Sequence, residues 1–209
     1  MTKGVVIVGG GGHAKVVIES LRAAGKAVAG VIDADSTPRD VAGVPVIGDD
    51  AALPGLRAQG LDEAFVAIGD NRLRARLAQG LIEQGFILVN AIHPSAVISP
   101  SARLGCGVAV MAGAVINAEV QIGDLAIINT GAVIDHDCRL DTACHLGPAA
   151  ALAGAVSLGA RSFLGVGTRV IPNITIGADV VVGAGAVVVR DLPDAVVAVG
   201  VPAKIQGTR

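Results

Sequence analysis

The chain has 209 residues, of which 52% are hydrophobic but only 1% aromatic, and its formal net charge is −2. With no basic surface and no aromatic stacking platform, it lacks the features of a nucleic-acid-binding protein, and three Cys do not make a disulfide framework. The longest uncharged run, Thr142 to Ala160, contains His145, Pro148 and three glycines, so we expect no membrane-spanning helix. The N-terminus does not resemble a signal peptide. We therefore expect a cytoplasmic protein with an aliphatic core.

Residues 1 to about 90 alternate between strand and helix patterns, which favours a parallel sheet with crossover helices. We expect an irregular loop over Ser36 to Asp50, and an N-cap at Asn71 for the second helix. The predicted strands are Val5 to Val8, Val28 to Ile32, Phe65 to Ile68 and Phe86 to Val89, and the predicted helices are His13 to Ala24 and Arg72 to Gln84.

A glycine run separates the first predicted strand from the first helix. Gly9 to Ala14 fits the pattern G-x-G-x-x-A, and Asp33 follows at the end of the second strand. Glycines allow close backbone approach, and a helix N-terminus favours a pyrophosphate. Because about 90 residues supply only half of a dinucleotide-binding fold, a nucleotide-sugar fits better than NAD. The alternative is a tight glycine turn that binds no ligand.

After Pro94 an aliphatic residue recurs every six positions, and nearly every residue two positions earlier is small. The residue one position later is often Gly, Asn or Asp, which we expect to form corners in left-handed backbone. The sixteen aliphatic positions are Ile98, Leu104, Val110, Ile116, Ile122, Ile128, Ile134, Leu140, Leu146, Leu152, Leu158, Leu164, Val170, Ile176, Val182 and Val188. This period predicts a parallel β-solenoid. The pattern resembles the hexapeptide repeat of acyltransferases, and the resemblance implies a left-handed β-helix with three hexads per coil.

Two histidines of the repeat region are candidates for chemistry. His136 should point outward between Asp135 and Asp137, as expected for a general base tuned by carboxylates. His145 should also point outward, although a surface histidine is more often inert. With no third histidine in the repeats, we expect no metal site. Cys138 and Cys144 occupy small inward positions, as core residues would.

Six short motifs are distributed along the whole chain. They are GGGGHAK, D-x-D at Asp33, AIGDN at Ala67, NAIHPSAVISPSA at Asn90, IDHDC at Ile134 and VGVPAK at Val199. On these motifs the chain resembles the sugar acyltransferase family of bacterial sialic acid O-acetyltransferases and of N-acetyltransferases acting on UDP- or GDP-linked 4-amino-4,6-dideoxy sugars, GDP-perosamine included. The resemblance implies a half-Rossmann nucleotide-sugar-binding domain over 1–93 and a left-handed β-helix acyltransferase domain over 94–209.

The resemblance also implies the roles of individual residues. His136 would be the catalytic base and Asp137 the acid that orients it. His145, Gly154 and Lys204 would contact acetyl-CoA, with the Gly154 N–H polarising the thioester carbonyl. Contacts to the nucleotide-sugar would come from Gly12, His13, Asp33, Asp35, Gly69 and Asn71.

The leading hypothesis is acetyl-CoA-dependent N-acetylation of a nucleotide-linked 4-amino sugar, without a covalent enzyme intermediate or a metal. The alternatives are O-acetylation of a sugar such as sialic acid, and a non-catalytic nucleotide-sugar-binding scaffold. UDP and GDP are not distinguished. Outward positions around Ile127, Val133, Ala149 and Ala151 carry no charge, so we expect this surface to be buried in a homotrimer.

Overall fold

The computed structural model describes residues 4–208, and the chain divides into two compact units, Met1–Pro94 and Ser95–Arg209. None of the helices between residues 4 and 208 has the length and apolar character needed to cross a bilayer. The elements of the first unit are β1 (Val5–Val8), α1 (Gly12–Ala23), β2 (Val28–Ile32), β3 (Asp40–Val41), β4 (Val44–Gly48), a 3-10 turn (Asp50–Ala52), α2 (Leu53–Ala58), β5 (Glu63–Val66), α3 (Asn71–Glu83), β6 (Ile87–Leu88) and β7 (Ala91–Ile92).

The first unit is built on a six-stranded sheet with the strand order β3-β4-β2-β1-β5-β6. The central strand β1 is buried at all four residues and pairs in parallel with β2 and β5, as the continuous aliphatic run predicts. Helix α1 buries Ala14, Val17, Ile18 and Leu21, which lie at helical spacing. The predicted alternation of parallel strands and helices is confirmed.

Two local predictions for this unit are wrong. The segment Ser36 to Asp50 is not an irregular loop, because β3 and β4 form an antiparallel hairpin within it. Its turn residues, Ala42 and Gly43, both have positive φ (48° and 70°), as a type I′ turn requires. Because Ala rarely adopts a positive φ, the dipeptide Ala42-Gly43 did not indicate a hairpin turn in the sequence. The N-cap of α3 is Asp70, whose carboxylate accepts the Leu73 N–H at 2.8 Å, and not Asn71.

The second unit contains sixteen two-residue strands that begin every six residues. They are β8 (Val97–Ile98), β9 (Arg103–Leu104), β10 (Ala109–Val110), β11 (Val115–Ile116), β12 (Gln121–Ile122), β13 (Ile127–Ile128), β14 (Val133–Ile134), β15 (Arg139–Leu140), β16 (His145–Leu146), β17 (Ala151–Leu152), β18 (Ser157–Leu158), β19 (Phe163–Leu164), β20 (Arg169–Val170), β21 (Thr175–Ile176), β22 (Val181–Val182) and β23 (Val187–Val188). The chain ends in β24 (Val196–Val199), which is parallel to β22, and β25 (Lys204–Thr208), which is antiparallel to β24.

These strands form the three faces of a left-handed β-helix. Each residue pairs in parallel with the residue 18 positions away, as Val133 pairs with Val115 and Ala151. Three hexads therefore complete one coil, as predicted. The second residue of every strand is the predicted aliphatic, and Cys138 and Cys144 are fully buried between them.

The predicted position of the left-handed corner residue is wrong. Positive φ occurs three residues after the inward aliphatic, for example at Asp137 (61°) and Ala143 (56°), and not one residue after it. The glycines one position after the aliphatic serve close stacking instead. A Cβ on Gly123 would lie 2.8 Å from the Thr142 backbone nitrogen in the next coil, a distance that only glycine avoids.

The outward residues of β8, β11, β14 and β17 form an uncharged aliphatic row, which consists of Val97, Val115, Val133 and Ala151. Val97 is 63% exposed and Val133 is 37% exposed. Ile127, which we predicted to belong to such a surface, is only 1% exposed. Its strand neighbour Ala109 is equally buried, so this part of the neighbouring face is already covered within the single chain.

Candidate active site

His136 lies in the exposed corner that follows β14. Its Nδ1 is 2.7 Å from Oδ2 of Asp137, and the left-handed backbone of Asp137 places this carboxylate beside the ring of the preceding residue. When Nδ1–H donates to the carboxylate, Nε2 of the neutral ring carries the free lone pair. Nε2 is therefore the atom that can accept a proton.

A second carboxylate supports His136 from the other side. Oδ1 of Asp135 accepts the backbone N–H of His136 at 2.8 Å and the side-chain amide of Asn117, one coil earlier, at 2.9 Å. The hydrogen bond to Asp137, followed by the negative charge of Asp135, raises the pKa of His136 above its ordinary value of 6.5. The bond from Asn117 and the His136 N–H lower the pKa of Asp135, so Asp135 stays charged.

Gly154 lies directly beneath the His136 ring, one coil later. A Cβ on Gly154 would come within 2.6 Å of Cε1 and 2.7 Å of Nε2 of His136. The carbonyl of His136 accepts the N–H of Ala155, which holds this corner to the next coil. In the described part of the chain, the N–H of Gly154 has no hydrogen-bond partner. The ring that carries the proton acceptor Nε2 therefore packs on a buried glycine whose N–H is not used within residues 4–208.

The other residues predicted to contact the donor lie elsewhere in this unit. His145 is on β16, which pairs with β13 and β19 and so belongs to a different face from β14. Its Nε2 is 3.2 Å from Nδ2 of Asn129, and its ring meets Phe163 edge-on at 5.0 Å between centroids. Lys204 begins β25 and is exposed. The structure brings together His136, Asp137 and Gly154, but it does not add His145 or Lys204 to them within one chain.

In the first unit, Asp33 organises the loop at the carboxyl end of the sheet. Its carboxylate accepts the N–H of Gly10, accepts the N–H of Asp35 at 3.0 Å and lies 3.2 Å from Nη2 of Arg39. Partial burial acts to raise the pKa of Asp33, but the two backbone bonds and Arg39 lower it overall. Asp35 in turn accepts both the N–H and the hydroxyl of Thr37.

The N-terminus of α1 is open to a ligand. Gly11, the N-cap, supplies no capping side chain, and a Cβ on Gly11, Gly12 or Gly69 would meet nothing within 4 Å. His13 is largely buried, and burial, followed by the charge of Arg74, lowers its pKa to about 4. The buried Nε2 of His13 has no hydrogen-bond partner in the described residues, so a neutral imidazole atom is left for a ligand to bind.

Comparison with solved structures finds relatives that match nearly the whole chain. It is 72% identical to perosamine N-acetyltransferase from Caulobacter crescentus, covering 98% of this chain and 97% of that one, with a TM-score of 0.96. That structure is a His-to-Asn variant in complex with CoA and GDP-perosamine. The chain belongs to the family of nucleotide-linked amino-sugar N-acetyltransferases.

Further relatives of this N-acetyltransferase family support the assignment. The acetyltransferase domain of PglB from Neisseria gonorrhoeae, in complex with acetyl coenzyme A, is 39% identical over 98% of this chain and 100% of that one, with a TM-score of 0.92. Residues 4–81 match the PglD N-terminal domain. A curated relative, the UDP-N-acetylbacillosamine N-acetyltransferase of Bacillus subtilis, is 44% identical over 114 residues. That match spans 53% of this chain and about half (52%) of the relative.

Three residues were missed from the sequence: Asn117 beside His136 in the second unit, and Arg39 and Arg74 in the first unit. Asn117 and Asp135 are 18 residues apart, so the three-hexad coil could have predicted their contact. Arg74 lies on the same helical face as Ala78 and Leu81, both buried, and this spacing was its only signal. The contact of Arg39 with Asp33 depends on the hairpin that was not predicted.

With His136 as the expected base, the carboxylates around it predict the pH dependence of turnover. A base must be neutral to accept a proton, so kcat should fall as the pH drops through a pKa raised above 6.5. Asp135→Asn removes one cause of that rise, so the acid limb of the kcat profile should move to lower pH. The matched control is Asp141→Asn, since Asp141 occupies the same position in the next hexad and accepts the Thr142 N–H at 2.7 Å. Equal acid limbs in wild type and Asp135→Asn would contradict this account.

Proposed function

We propose that the protein transfers the acetyl group of acetyl-CoA to the 4-amino group of a GDP-linked 4-amino-4,6-dideoxy sugar. The observation that carries the proposal is the His136 ring, held by Asp137 at Nδ1 and lying on Gly154 at its Nε2 side. The 72% identical relative in complex with CoA and GDP-perosamine supports both substrates and favours GDP over UDP.

The proposed reaction needs no covalent intermediate on the protein. The neutral amine attacks the thioester carbon while its proton passes to Nε2 of His136, and the N–H of Gly154 donates to the oxyanion. The C–S bond then breaks, the amide forms, and the thiolate takes the proton from Nε2 of His136 and leaves as CoA, which returns the ring to its neutral state. Asp137 keeps the ring in the tautomer that accepts at Nε2 and stabilises the imidazolium.

The proposal divides binding between the two parts of the chain. Residues 1–93 would bind the nucleotide through the open N-terminus of α1, with contacts from the residues named at that edge. Residues 94–209 would bind acetyl-CoA and carry the base. A cytoplasmic location stays a prediction from the sequence.

Replacing Asp33 should affect only the sugar nucleotide. Asp33→Ala removes the acceptor of the Gly10 N–H and the carboxylate that pairs with Nη2 of Arg39, so the glycine loop loses its support. We expect KM for the GDP-sugar to rise about tenfold, with KM for acetyl-CoA unchanged. The matched control, Asp40→Ala, removes an exposed carboxylate on β3 and should change neither value. Equal rises for both substrates would contradict the division of labour.

We further propose that the active protein is a homotrimer in which His136 faces a neighbouring copy. The uncharged row of Val97, Val115, Val133 and Ala151 lies on the face that leads into the His136 corner. His136 and Asp137 are 59% and 62% exposed in the single chain, and a neighbouring subunit would cover them. The neighbouring subunit would also bring the face that carries its own His145 toward acetyl-CoA. This arrangement would account for the predicted contact of His145 with acetyl-CoA, which one chain alone does not explain.

A charge in the aliphatic row tests the trimer. Val133→Asp should lower the sedimenting mass from about three times 20.6 kDa toward one chain, and should lower turnover with it. Val16→Asp is the matched control, because Val16 is similarly exposed (41%, against 37% for Val133) but lies on α1. A monomeric wild type with full activity would contradict the proposal.

An acceptor panel tests the proposed function as a whole. The wild-type protein is incubated with acetyl-CoA and, in turn, GDP-perosamine, UDP-linked 4-amino sugars and sialic acid, and thiol release is measured. We expect the largest kcat/KM for GDP-perosamine. Faster reaction with sialic acid would favour O-acetylation, and no thiol release with any acceptor would favour the scaffold hypothesis.

A further inference from the structure

Arg74 is an arginine buried inside the first unit. It lies on α3, is only 1% exposed, and is among the largest fully buried side chains of the described residues. A guanidinium is charged at any working pH, and burying a charge is costly unless hydrogen bonds compensate for it. We therefore expect the buried guanidinium of Arg74 to be compensated by hydrogen bonds.

The guanidinium holds the loop that follows β5. Nη1 donates to the carbonyl of Ile68 at 2.9 Å and to that of Gly69 at 3.2 Å, while Nη2 donates to Oδ1 of Asn71 at 2.8 Å. Asn71 is itself buried. One planar group thus fixes two backbone carbonyls and a side chain of the segment from Ile68 to Asn71.

Arg74 also acts on His13 at the N-terminus of α1. The charge of Arg74 is the second cause, after burial, of the low pKa of His13. His13 therefore remains neutral, with its buried Nε2 unpartnered. The neighbouring Gly11 and Gly12, like Gly69, leave open space where a side chain would otherwise be. Arg74 thus contacts the Ile68–Asn71 segment directly and acts on His13 through its charge.

We propose that Arg74 is a positioning residue for nucleotide binding, which holds the Ile68–Asn71 segment in place near the ring of His13, ready for the nucleoside diphosphate of the acceptor. The inference rests on the proposed function for the identity of the ligand. Arg74 touches no substrate atom in this account. It acts through Gly69, Asn71 and His13.

Binding of GDP without any chemistry tests this role. Arg74→Lys keeps a positive charge, but an ammonium cannot reproduce the planar fork that reaches three acceptors. We expect the Kd for GDP, measured by calorimetry, to rise about tenfold or more, with the Kd for CoA unchanged. Arg76→Lys is the matched control on the same helix, at an exposed position, and should bind GDP as the wild type does.

His13 provides a second readout by NMR. The wild-type ring should stay neutral down to about pH 4, and Arg74→Met should raise the pKa of His13 by removing a positive charge. If Arg74→Met does not fold, Arg74→Lys still decides the matter through GDP binding. A folded Arg74→Lys that binds GDP with wild-type affinity, or loses affinity for GDP and CoA equally, would overturn the proposal. Because GDP binding needs no acetyl transfer, a wild type that binds GDP but transfers nothing would refute the proposed function alone.

Discussion

His136→Ala should lower kcat by about 10²–10⁴-fold, because the reaction loses the group that we propose takes the proton of the attacking amine. The ring of His136 is exposed in the corner after β14 and carries its partner, Asp137, on the neighbouring residue. Sugar-nucleotide affinity should change little, since the residues proposed to bind the nucleotide belong to the other unit. The measurement is steady-state thiol release with GDP-perosamine, together with calorimetric binding of GDP.

The control for this variant is His93→Ala. It removes the same residue type at a position given no role in chemistry, and thermal unfolding of both variants checks that they fold. Retention of a tenth or more of wild-type turnover by His136→Ala would rule out His136 as the base.

Gly154→Ala should lower kcat by about 10²-fold through displacement of the His136 ring. The new methyl would lie 2.6 Å from Cε1, so the ring must move, and an error of about 1 Å in a reacting group can cost this much. The N–H of Gly154 is still present in this variant. The loss therefore reports on the position of the base rather than on the oxyanion donor.

Two comparisons sharpen the Gly154 experiment. In the His136→Ala background there is no ring to displace, so Gly154→Ala should cause little further loss of kcat. Gly80→Ala is the matched control, because a Cβ on Gly80 meets nothing within 4 Å and its φ is not positive. It lies within α3, so it should stabilise the protein by roughly 0.5–1 kcal/mol and leave turnover unchanged. Additive losses in the double variant would contradict the contact between Gly154 and the ring.

The sequence predicted the β-helix strand by strand because an inward position tolerates only one kind of residue. From Ile98 to Val188 every sixth residue is aliphatic, and each ends a strand in the structure. The corners were less predictable. Asp137 and Ala143 have positive φ without being glycine, since the stacking of coils imposes a backbone that the residue type alone would not choose.

The candidate site was predictable in part. His136 and Asp137 are adjacent in the chain, so their contact needed only an exposed corner, and the acyltransferase resemblance supplied Gly154. Arg74 could not be found in the same way, because its partners Ile68 and Gly69 are bound through their backbone carbonyls, which carry no sequence signal. The burial of Ile127 likewise depends on packing beyond its own hexad.

The most direct test of the account is the identity of the bond that the wild-type protein forms on GDP-perosamine. After incubation with acetyl-CoA, the product is analysed by mass spectrometry and NMR, before and after mild alkali, which cleaves an acetyl ester but spares an amide. We predict one alkali-stable acetyl group on the nitrogen at C4, formed at an initial rate about 10²–10⁴-fold lower when His136→Ala replaces the wild type under the same conditions. An alkali-labile acetyl group on a hydroxyl, or equal initial rates of product formation with both proteins, would contradict this prediction.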